Sequence, residues 1–148
     1  MRLVIQRVLE ASVEAEGAIT GSIGPGLLVL FAVESSDTTA QADYLVKKTI
    51  GLRIFPDAQG KMNRSVADVG GAVLVVSQFT LFGDCSQGLR PSYSRAATAQ
   101  QASSLYEYYL DRLRQTGIPV QSGVFQAAMK VTLINDGPVT LICDSILS

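Results

Sequence analysis

The sequence predicts an α/β domain with a mainly antiparallel or mixed sheet and two helices. Three features indicate this class: apolar side chains alternate along residues 3–15, two later segments place apolar residues at helical spacing, and the strands come in pairs. A doubly wound parallel sheet would require strands that alternate strictly with helices, so the pairing disfavours it. At 148 residues the chain is expected to form a single domain over residues 1–148.

The first strand is predicted from a clean alternation of apolar and polar residues. Every second position from Leu3 to Ala15 belongs to one face, and the opposite face carries mostly charged and polar side chains. This alternation places Leu9 on the buried face. Gly17 ends the strand, and residues 18–23 are expected to return as its hairpin partner.

A buried strand and the first helix are expected next. Residues 27–33 form an apolar run that is typical of a fully buried strand. Asp37 is the expected N-cap of a helix over residues 38–52, in which apolar residues follow helical spacing. A short strand over residues 53–55 is predicted after that helix.

The middle of the chain is predicted to contain a buried strand, a long loop and the second helix. Residues 72–76 are apolar, and residues 83–97 mix glycine, serine, proline and arginine without any period. Long loops in compact domains are often functional. Thr98 and Gln101 resemble a capping box, and the helix they begin is expected to end before Gly117.

The chain is predicted to end with two strands, residues 129–135 and 139–146, on either side of Asp136-Gly137-Pro138. Asp-Gly alone indicates a hairpin turn, but the proline that follows has no N–H group for the ladder. Two interpretations stay open: a plain turn, or a rigid segment with a cis bond before Pro138 that presents two backbone carbonyl groups.

The composition excludes several kinds of chemistry and partner. Twelve Lys and Arg residues against 13 Asp and Glu give a net charge of −1, so no bulk positive field exists to hold a long stretch of nucleic-acid backbone. Any nucleic-acid contact is therefore expected to be local, and neither DNA nor a membrane is expected as a partner. The absence of histidine removes Ser-His-Asp and Cys-His catalysis and imidazole metal sites. Cys85 and Cys143 form no C-x-x-C motif, so no metal or cofactor is expected. With no apolar run long enough to cross a bilayer, the expectation is a soluble, cytoplasmic protein.

Polar residues at the end of a buried strand are the first candidates for chemistry. Ser77, Gln78 and Thr80 follow the predicted strand over residues 72–76. Without histidine, a serine or threonine nucleophile would need Lys or a carboxylate as its base. Backbone N–H groups and the Gln78 amide could instead form an oxyanion hole, which needs no titrating group. The alternative is that these residues only close the strand.

Arginine and lysine residues form a second group of candidates. Arg7 lies on the apolar face of the first strand, where a charge must find a carboxylate, backbone acceptors or water. Four loop residues could contact phosphates or be ordinary surface charges. They are Lys61, Arg64, Arg90 and Arg95.

Taken together, these motifs closely resemble the D-aminoacyl-tRNA deacylases. The resemblance follows the family's order along nearly the whole chain, and the combination of its motifs at residues 77–81 and 135–140 is highly specific. The matching stretches are Val4-Ile5-Gln6-Arg7-Val8, Gly51-Leu52-Arg53-Ile54-Phe55, Gly60-Lys61-Met62-Asn63, Ser77-Gln78-Phe79-Thr80-Leu81, Arg90-Pro91-Ser92 and Asn135-Asp136-Gly137-Pro138-Val139-Thr140.

The resemblance implies a homodimer that hydrolyses the ester between a D-amino acid, or glycine, and the 3′-terminal adenosine of tRNA. It implies that Gly137-Pro138 is cis and enters the partner subunit's site, where its carbonyl oxygens bind the substrate's α-amino group. An L side chain would then be pushed into the protein, so chirality is read by steric rejection.

The implied site residues form a catalytic and a substrate-binding group. The catalytic group is Ser77, Gln78, Phe79 and Thr80. The substrate-binding group is Asn135, Gly137, Pro138, Phe125, Met129 and Arg7. In the family pattern, Phe125 and Met129 match the pocket for the terminal adenine, and Arg7 matches a residue that braces the Gly-Pro segment.

Two questions stay open at the level of sequence. Either Thr80 is a nucleophile or the 2′-hydroxyl of the tRNA assists water, and the absence of a base near Thr80 favours the second. A non-catalytic dimer that binds aminoacylated ends or free D-amino acids is the alternative function. The chain also departs from the family by having Gln126-Ala127-Ala128-Met129 in place of the common Gly-Ala-Asp-Met, and its loop over residues 84–89 is less basic than usual.

Overall fold

A computed structural model of the chain describes residues 1–145. The fold is α/β with a mixed sheet and two helices, as predicted. In chain order the elements are β1 (Arg2–Ala15), β2 (Ala18–Ile23), β3 (Gly26–Ala32), α1 (Thr39–Gly51), β4 (Phe55–Pro56), β5 (Met62–Arg64), β6 (Ala72–Ser77), a 3-10 helix (Phe79–Phe82), α2 (Ala99–Gln115), β7 (Val120–Ser122) and β8 (Met129–Asp144). No helix of residues 1–145 is long and apolar enough to span a membrane.

The main sheet has the strand order β2-β1-β3-β6-β7, and β8 pairs with β1. β1 is antiparallel to β2, β3 and β8, whereas β3-β6 and β6-β7 are parallel pairs. Residues of β1 that pair with β2 or β3 also pair with β8, so β8 lies along the opposite side of β1. The outer edge of β8, 16 residues long, therefore has no partner strand within residues 1–145.

The larger core lies between the sheet and the two helices. Phe31 of β3 packs between Tyr106 and Tyr109 of α2, with ring centroids 5.6 Å and 4.8 Å apart. Both hydroxyl groups are satisfied, because Tyr106 donates to the Val75 carbonyl (3.3 Å) and Tyr109 shares a 2.7 Å hydrogen bond with Thr49. Burial raises the pKa of Tyr106 to about 12, so this core stays neutral at ordinary pH.

The N-cap of α1 is Thr38, so the prediction of Asp37 is wrong. Gln41 accepts a hydrogen bond from the Thr38 N–H (2.7 Å), which completes a capping box. Asp37 is buried instead: its carboxylate accepts from the Glu34 N–H (2.7 Å) and forms an ion pair with the Met1 amino group. This tertiary ion pair uses the carboxylate that would otherwise cap the helix.

The capping box predicted at Thr98 is only half present. Thr98 does cap α2, because its hydroxyl accepts from the Gln101 N–H (3.3 Å). The Gln101 side chain does not return to Thr98 and donates to the Ser35 carbonyl instead (2.9 Å). It therefore ties the start of α2 to the loop that precedes α1.

Leu9 is 51% exposed, so its predicted place in the core is wrong. The pairing of β1 with β8 shifts register between Gln6 and Val8 and again between Val8 and Glu10. Each irregularity reverses the side to which the following residues point, so Val8 is buried and Leu9 faces outward.

The two strands predicted at the C-terminus are one strand, β8, which runs through Asp136-Gly137-Pro138. Ile146, the predicted end of the last strand, lies outside the described residues. The strand predicted at residues 53–55 is found at Phe55–Pro56, where it pairs with β5. The sequence interpretation did not include β5, β7 or the 3-10 helix.

Candidate functional site

A cavity of about 540 Å³ opens where the parallel strands β3 and β6 end. The carboxyl ends of parallel strands are common positions for ligand sites, and this volume is in the usual range for small ligands. Its walls are mainly apolar, and three polar side chains line it. These are Ser77, Gln78 and Gln126. The lining contains no titratable side chain among the described residues, so any chemistry here depends on neutral groups.

The segment over residues 77–80 forms the polar end of the cavity. The Gln78 N–H donates to the Phe31 carbonyl (2.7 Å), which extends the pairing of β3 and β6 by one residue before the chain turns. The N–H groups of Phe79 and Thr80 donate to no acceptor within residues 1–145. Two free donors beside a cavity are a suitable arrangement for stabilising an oxyanion.

The Gln78 and Thr80 side chains are joined by a hydrogen bond from the Gln78 amide to the Thr80 hydroxyl. Thr80 is exposed and does not itself line the cavity. The same residues therefore place one amide and one hydroxyl next to the two free N–H groups. Within the described part of the chain, no carboxylate or amine accompanies them in the lining to act as a base.

Phe125 and Met129 form part of the apolar wall. The ring of Phe125 packs against Tyr106 with centroids 5.7 Å apart, so the core of α2 holds it in place. An added Cβ at Gly123 would lie 2.6 Å from the sulfur of Met129, which shows how closely the backbone approaches this side chain. The wall is thus a fixed apolar surface on which a planar ring could stack.

Gly137 and Pro138 lie on the exposed part of β8, and the peptide bond between them is cis, as predicted. Arg7, which is 9% exposed, anchors this segment through its guanidinium group. Its Nε donates to the Asp136 carbonyl (3.1 Å) and lies 3.3 Å from the Asp136 carboxylate, and its Nη1 donates to the Ile54 carbonyl (2.6 Å). The arginine on the apolar face thus finds both a carboxylate and backbone acceptors.

Asn135 holds the same segment from within β8. Its Oδ1 accepts from the Val139 N–H (3.0 Å), and its Nδ2 donates to the Thr140 hydroxyl (2.9 Å). These bonds span the Gly137-Pro138 pair from one side to the other. Asn135 and Arg7 together fix the backbone of the Gly137-Pro138 segment.

The predicted site residues therefore form two separate groups in one chain. Ser77, Gln78, Phe79, Phe125 and Met129 line the cavity, with Thr80 bonded to Gln78. The second group does not line the cavity of its own chain. It consists of Arg7, Asn135, Gly137 and Pro138.

Sequence reasoning missed the part of the wall formed by Phe31 and Val131. Both are apolar strand residues, and nothing in such a residue distinguishes a cavity wall from ordinary core. None of the four loop cations considered for phosphate contacts lines the cavity. Arg95 pairs with Glu34 (2.9 Å), and Arg64 donates to the Asp68 carbonyl (2.6 Å).

The chain is similar to known proteins over nearly its whole length. The family model described as D-Tyr-tRNA(Tyr) deacylase matches residues 4–144. The D-aminoacyl-tRNA deacylase of Syntrophotalea carbinolica is 57% identical over 145 residues, which cover 98% of this chain and 97% of the relative. The protein of the same name from Solibacter usitatus is 53% identical over 145 residues, with 98% and 96% coverage.

Two solved structures share the fold. A structure titled c-Myc DNA Unwinding Element Binding Protein has a TM-score of 0.92 and 37% identity, covering 99% of this chain and 100% of its own. A structure described as a probable eukaryotic D-amino acid tRNA deacylase has a TM-score of 0.82 with 97% and 98% coverage. At 17% identity the second likeness concerns the fold alone.

Proposed function

Because the chain belongs to the D-aminoacyl-tRNA deacylase family, we propose that its cavity receives the aminoacylated 3′ end of tRNA and that Gly137-Pro138 of a second copy completes the site. The chain is a hydrolase that cleaves D-aminoacyl-tRNA into free D-amino acid and tRNA. This activity favours hydrolysis over the alternative of a non-catalytic dimer that binds aminoacylated ends or free D-amino acids, because such a binder would not turn over its ligand. The observation that supports the proposed site is a neutral cavity with an aromatic wall, beside whose polar end lie the two free N–H groups of Phe79 and Thr80.

The terminal adenosine is assigned to the apolar part of the cavity. An adenine ring stacked on Phe125 would bury one face against an apolar ring, and Met129 offers a polarizable contact on the same wall. Because Tyr106 backs Phe125, the stacking surface is in place before substrate arrives. The ribose and the ester would then extend toward residues 77–80.

The ester carbonyl is assigned to the polar end. Its oxygen would accept from the N–H groups of Phe79 and Thr80, with the Gln78 amide nearby. These donors stabilise the negative charge that develops on that oxygen when the carbonyl carbon becomes tetrahedral. Ser77 lines the same end of the cavity and contributes its hydroxyl to the polar surroundings.

The reaction itself needs only water and the substrate's own hydroxyl group. A water oxygen bonds to the carbonyl carbon, the bond between that carbon and the ribose 3′-oxygen breaks, and the proton lost by water passes to the 3′-oxygen through the vicinal 2′-hydroxyl. The products are the free amino acid and the tRNA with its 3′-hydroxyl restored. Positioning and oxyanion stabilisation supply the catalysis, in agreement with the absence of a titratable side chain from the described cavity lining.

No covalent acyl-enzyme is expected. Thr80 shares a hydrogen bond with the Gln78 amide, which is a donor and cannot take the hydroxyl proton from it. Rapid quenching of a reaction with D-tyrosyl-tRNA labelled in the amino acid should leave the protein unlabelled at every time point. Label recovered on a peptide that contains Thr80 would contradict the substrate-assisted reaction.

The α-amino group is assigned to the carbonyl oxygens of Gly137 and Pro138 from the partner subunit. In one chain this segment is exposed, rigidly held by Arg7 and Asn135, and separate from the cavity lining. A segment that is so well fixed yet outside its own cavity fits a role in a second copy. The homodimer is thus part of the proposed site.

The open edge of β8 supports this assembly. It extends over 16 residues without a partner strand in the described chain, and it carries the Gly-Pro segment at its middle. Alternate residues of β8 are half-buried and apolar, including Val131, Leu133 and Leu141. A long strand edge without a partner is a liability in a monomer and is commonly covered by association.

Chirality follows from backbone groups in this arrangement. If two carbonyl oxygens fix the α-amino group and two N–H donors fix the ester carbonyl, D and L side chains point to opposite sides of the α-carbon. The resemblance to the family implies that the L side chain is the one directed toward the protein. A D side chain points away, so its identity matters little. Glycine has no side chain to reject, and glycyl-tRNA is therefore a second expected substrate.

Turnover of matched substrates tests the proposal. With one tRNA carrying D-tyrosine, L-tyrosine or glycine, the enzyme should release D-tyrosine and glycine at similar kcat/KM and leave the L-ester intact. Retention of the three species on a filter, measured in parallel, separates binding from hydrolysis. Efficient release of L-tyrosine would contradict steric rejection, and intact glycyl-tRNA would contradict the backbone-only account.

A further inference from the structure

Gln126 occupies an unusual backbone position on the rim of the cavity. Its φ of 65° lies in the left-handed region, which costs free energy for any residue with a Cβ. Only Glu16, in the turn between β1 and β2, shares this property among non-glycine residues of the described chain. Gln126 adds an exposed polar residue to a cavity lining that is mainly apolar.

The Gln126 carboxamide has no hydrogen-bond partner within residues 1–145, although its residue lines the cavity. The other amide of the lining, Gln78, is already bonded to Thr80. Gln126 thus supplies the free side-chain amide of the cavity lining. It directly follows Phe125, so a ring stacked on Phe125 would have its edge within reach of this amide.

The donor and acceptor of a carboxamide match one edge of adenine. The amide N–H group complements N7, and the amide oxygen complements the N6 amino group, a pairing that glutamine uses elsewhere to read adenine. We propose that Gln126 determines specificity for the terminal base by hydrogen bonding to N7 and the N6 amino group of adenine. This inference rests on the proposed function, in which the cavity receives the terminal adenosine.

The test compares D-tyrosyl-tRNA ending in adenosine with D-tyrosyl-tRNA ending in 7-deazaadenosine, which lacks the N7 acceptor. The wild-type enzyme should show about a fivefold lower kcat/KM for the 7-deaza substrate, the worth of one hydrogen bond. Gln126→Gly keeps the backbone conformation and removes the amide, so it should react equally with both substrates. Glu16→Gly relieves the same kind of backbone conformation away from the cavity and should keep the wild-type ratio.

Inhibition by free adenosine distinguishes failure of the role proposed for Gln126 from failure of the cavity assignment. If adenosine inhibits hydrolysis and Gln126→Gly retains the fivefold ratio, the cavity assignment stands and the role of Gln126 is wrong. If adenosine does not inhibit an enzyme that hydrolyses D-tyrosyl-tRNA, the cavity assignment fails and this inference fails with it. Equal wild-type rates for the two substrates would also overturn it.

Discussion

Replacing Gly137 with alanine is expected to lower kcat/KM for D-tyrosyl-tRNA by about 100-fold. The backbone of Gly137 has a φ of 132°, a conformation that residues with a side chain rarely adopt. A Cβ there would lie 2.8 Å from Cγ2 of Val139 and 3.1 Å from Nη2 of Arg7. Because Arg7 is held by the Ile54 carbonyl, the segment itself must shift, and its carbonyl groups shift with it.

Gly60→Ala is the matched control for this change. Gly60 also has a positive φ, 77°, but an added Cβ would meet no atom within 4 Å. Gly60→Ala should also strain the backbone, but without moving the Gly-Pro segment, so kcat/KM should stay near that of the wild type. A Gly137→Ala enzyme as fast as Gly60→Ala would contradict the assigned role of the carbonyl groups.

Comparing Gly137→Ala with variants at the polar end of the cavity separates an effect on rate from an effect on chiral discrimination. Gln78→Ala and Thr80→Ala alter side chains at the polar end, so they should slow hydrolysis of the D-ester and still leave L-tyrosyl-tRNA intact. Gly137→Ala alters the groups proposed to orient the α-amino group, so it should loosen discrimination. If Gln78→Ala or Thr80→Ala hydrolysed the L-ester efficiently while Gly137→Ala remained fast and D-specific, recognition by backbone carbonyls would be wrong.

The parts of the fold that local pattern determines could be predicted from sequence. Alternation predicted β1, and helical spacing predicted both helices, because burial of one face fixes the period. The wrong predictions occur where a residue that is distant in sequence determines the local structure. Thr38 and Asp37 are both good capping residues, and the Met1 amino group decides between them by pairing with Asp37. Leu9 is turned outward by its register with β8, a strand that lies far along the chain.

The candidate site likewise contains residues that could be predicted from local sequence and residues that could not. The segment over residues 77–80 could be recognised because polar residues at the end of a buried strand are chemically conspicuous. Phe31 and Val131 could not, since their local sequence is that of any core strand. The sequence indicates least about where Gly137 and Pro138 act, because the cavity proposed for them belongs to another copy of the chain. The local sequence bears on the conformation of these two residues, but it does not indicate which surface they contact.

A mixture of two inactive variants is therefore expected to regain activity. Gly137→Ala damages the segment proposed to enter the partner, and Ala99→Trp fills the cavity from an exposed position at the start of α2. In each pure variant both sites of the dimer carry the defect. In a mixed dimer, one site combines the open cavity of the Gly137→Ala subunit with the intact Gly-Pro segment of the Ala99→Trp subunit.

Subunits that exchange freely would form mixed dimers in half of the assemblies, and each would hold one intact site out of two. The mixture should thus reach about a quarter of the wild-type kcat/KM, since the two sites of a two-fold dimer are equivalent. Native mass spectrometry of the same sample verifies that mixed dimers are present. If they are present and the mixture stays as slow as its components, Gly137 acts within its own chain. If the wild-type enzyme is a monomer at the assay concentration, the composite site itself is wrong, because no partner is available to supply the carbonyl groups.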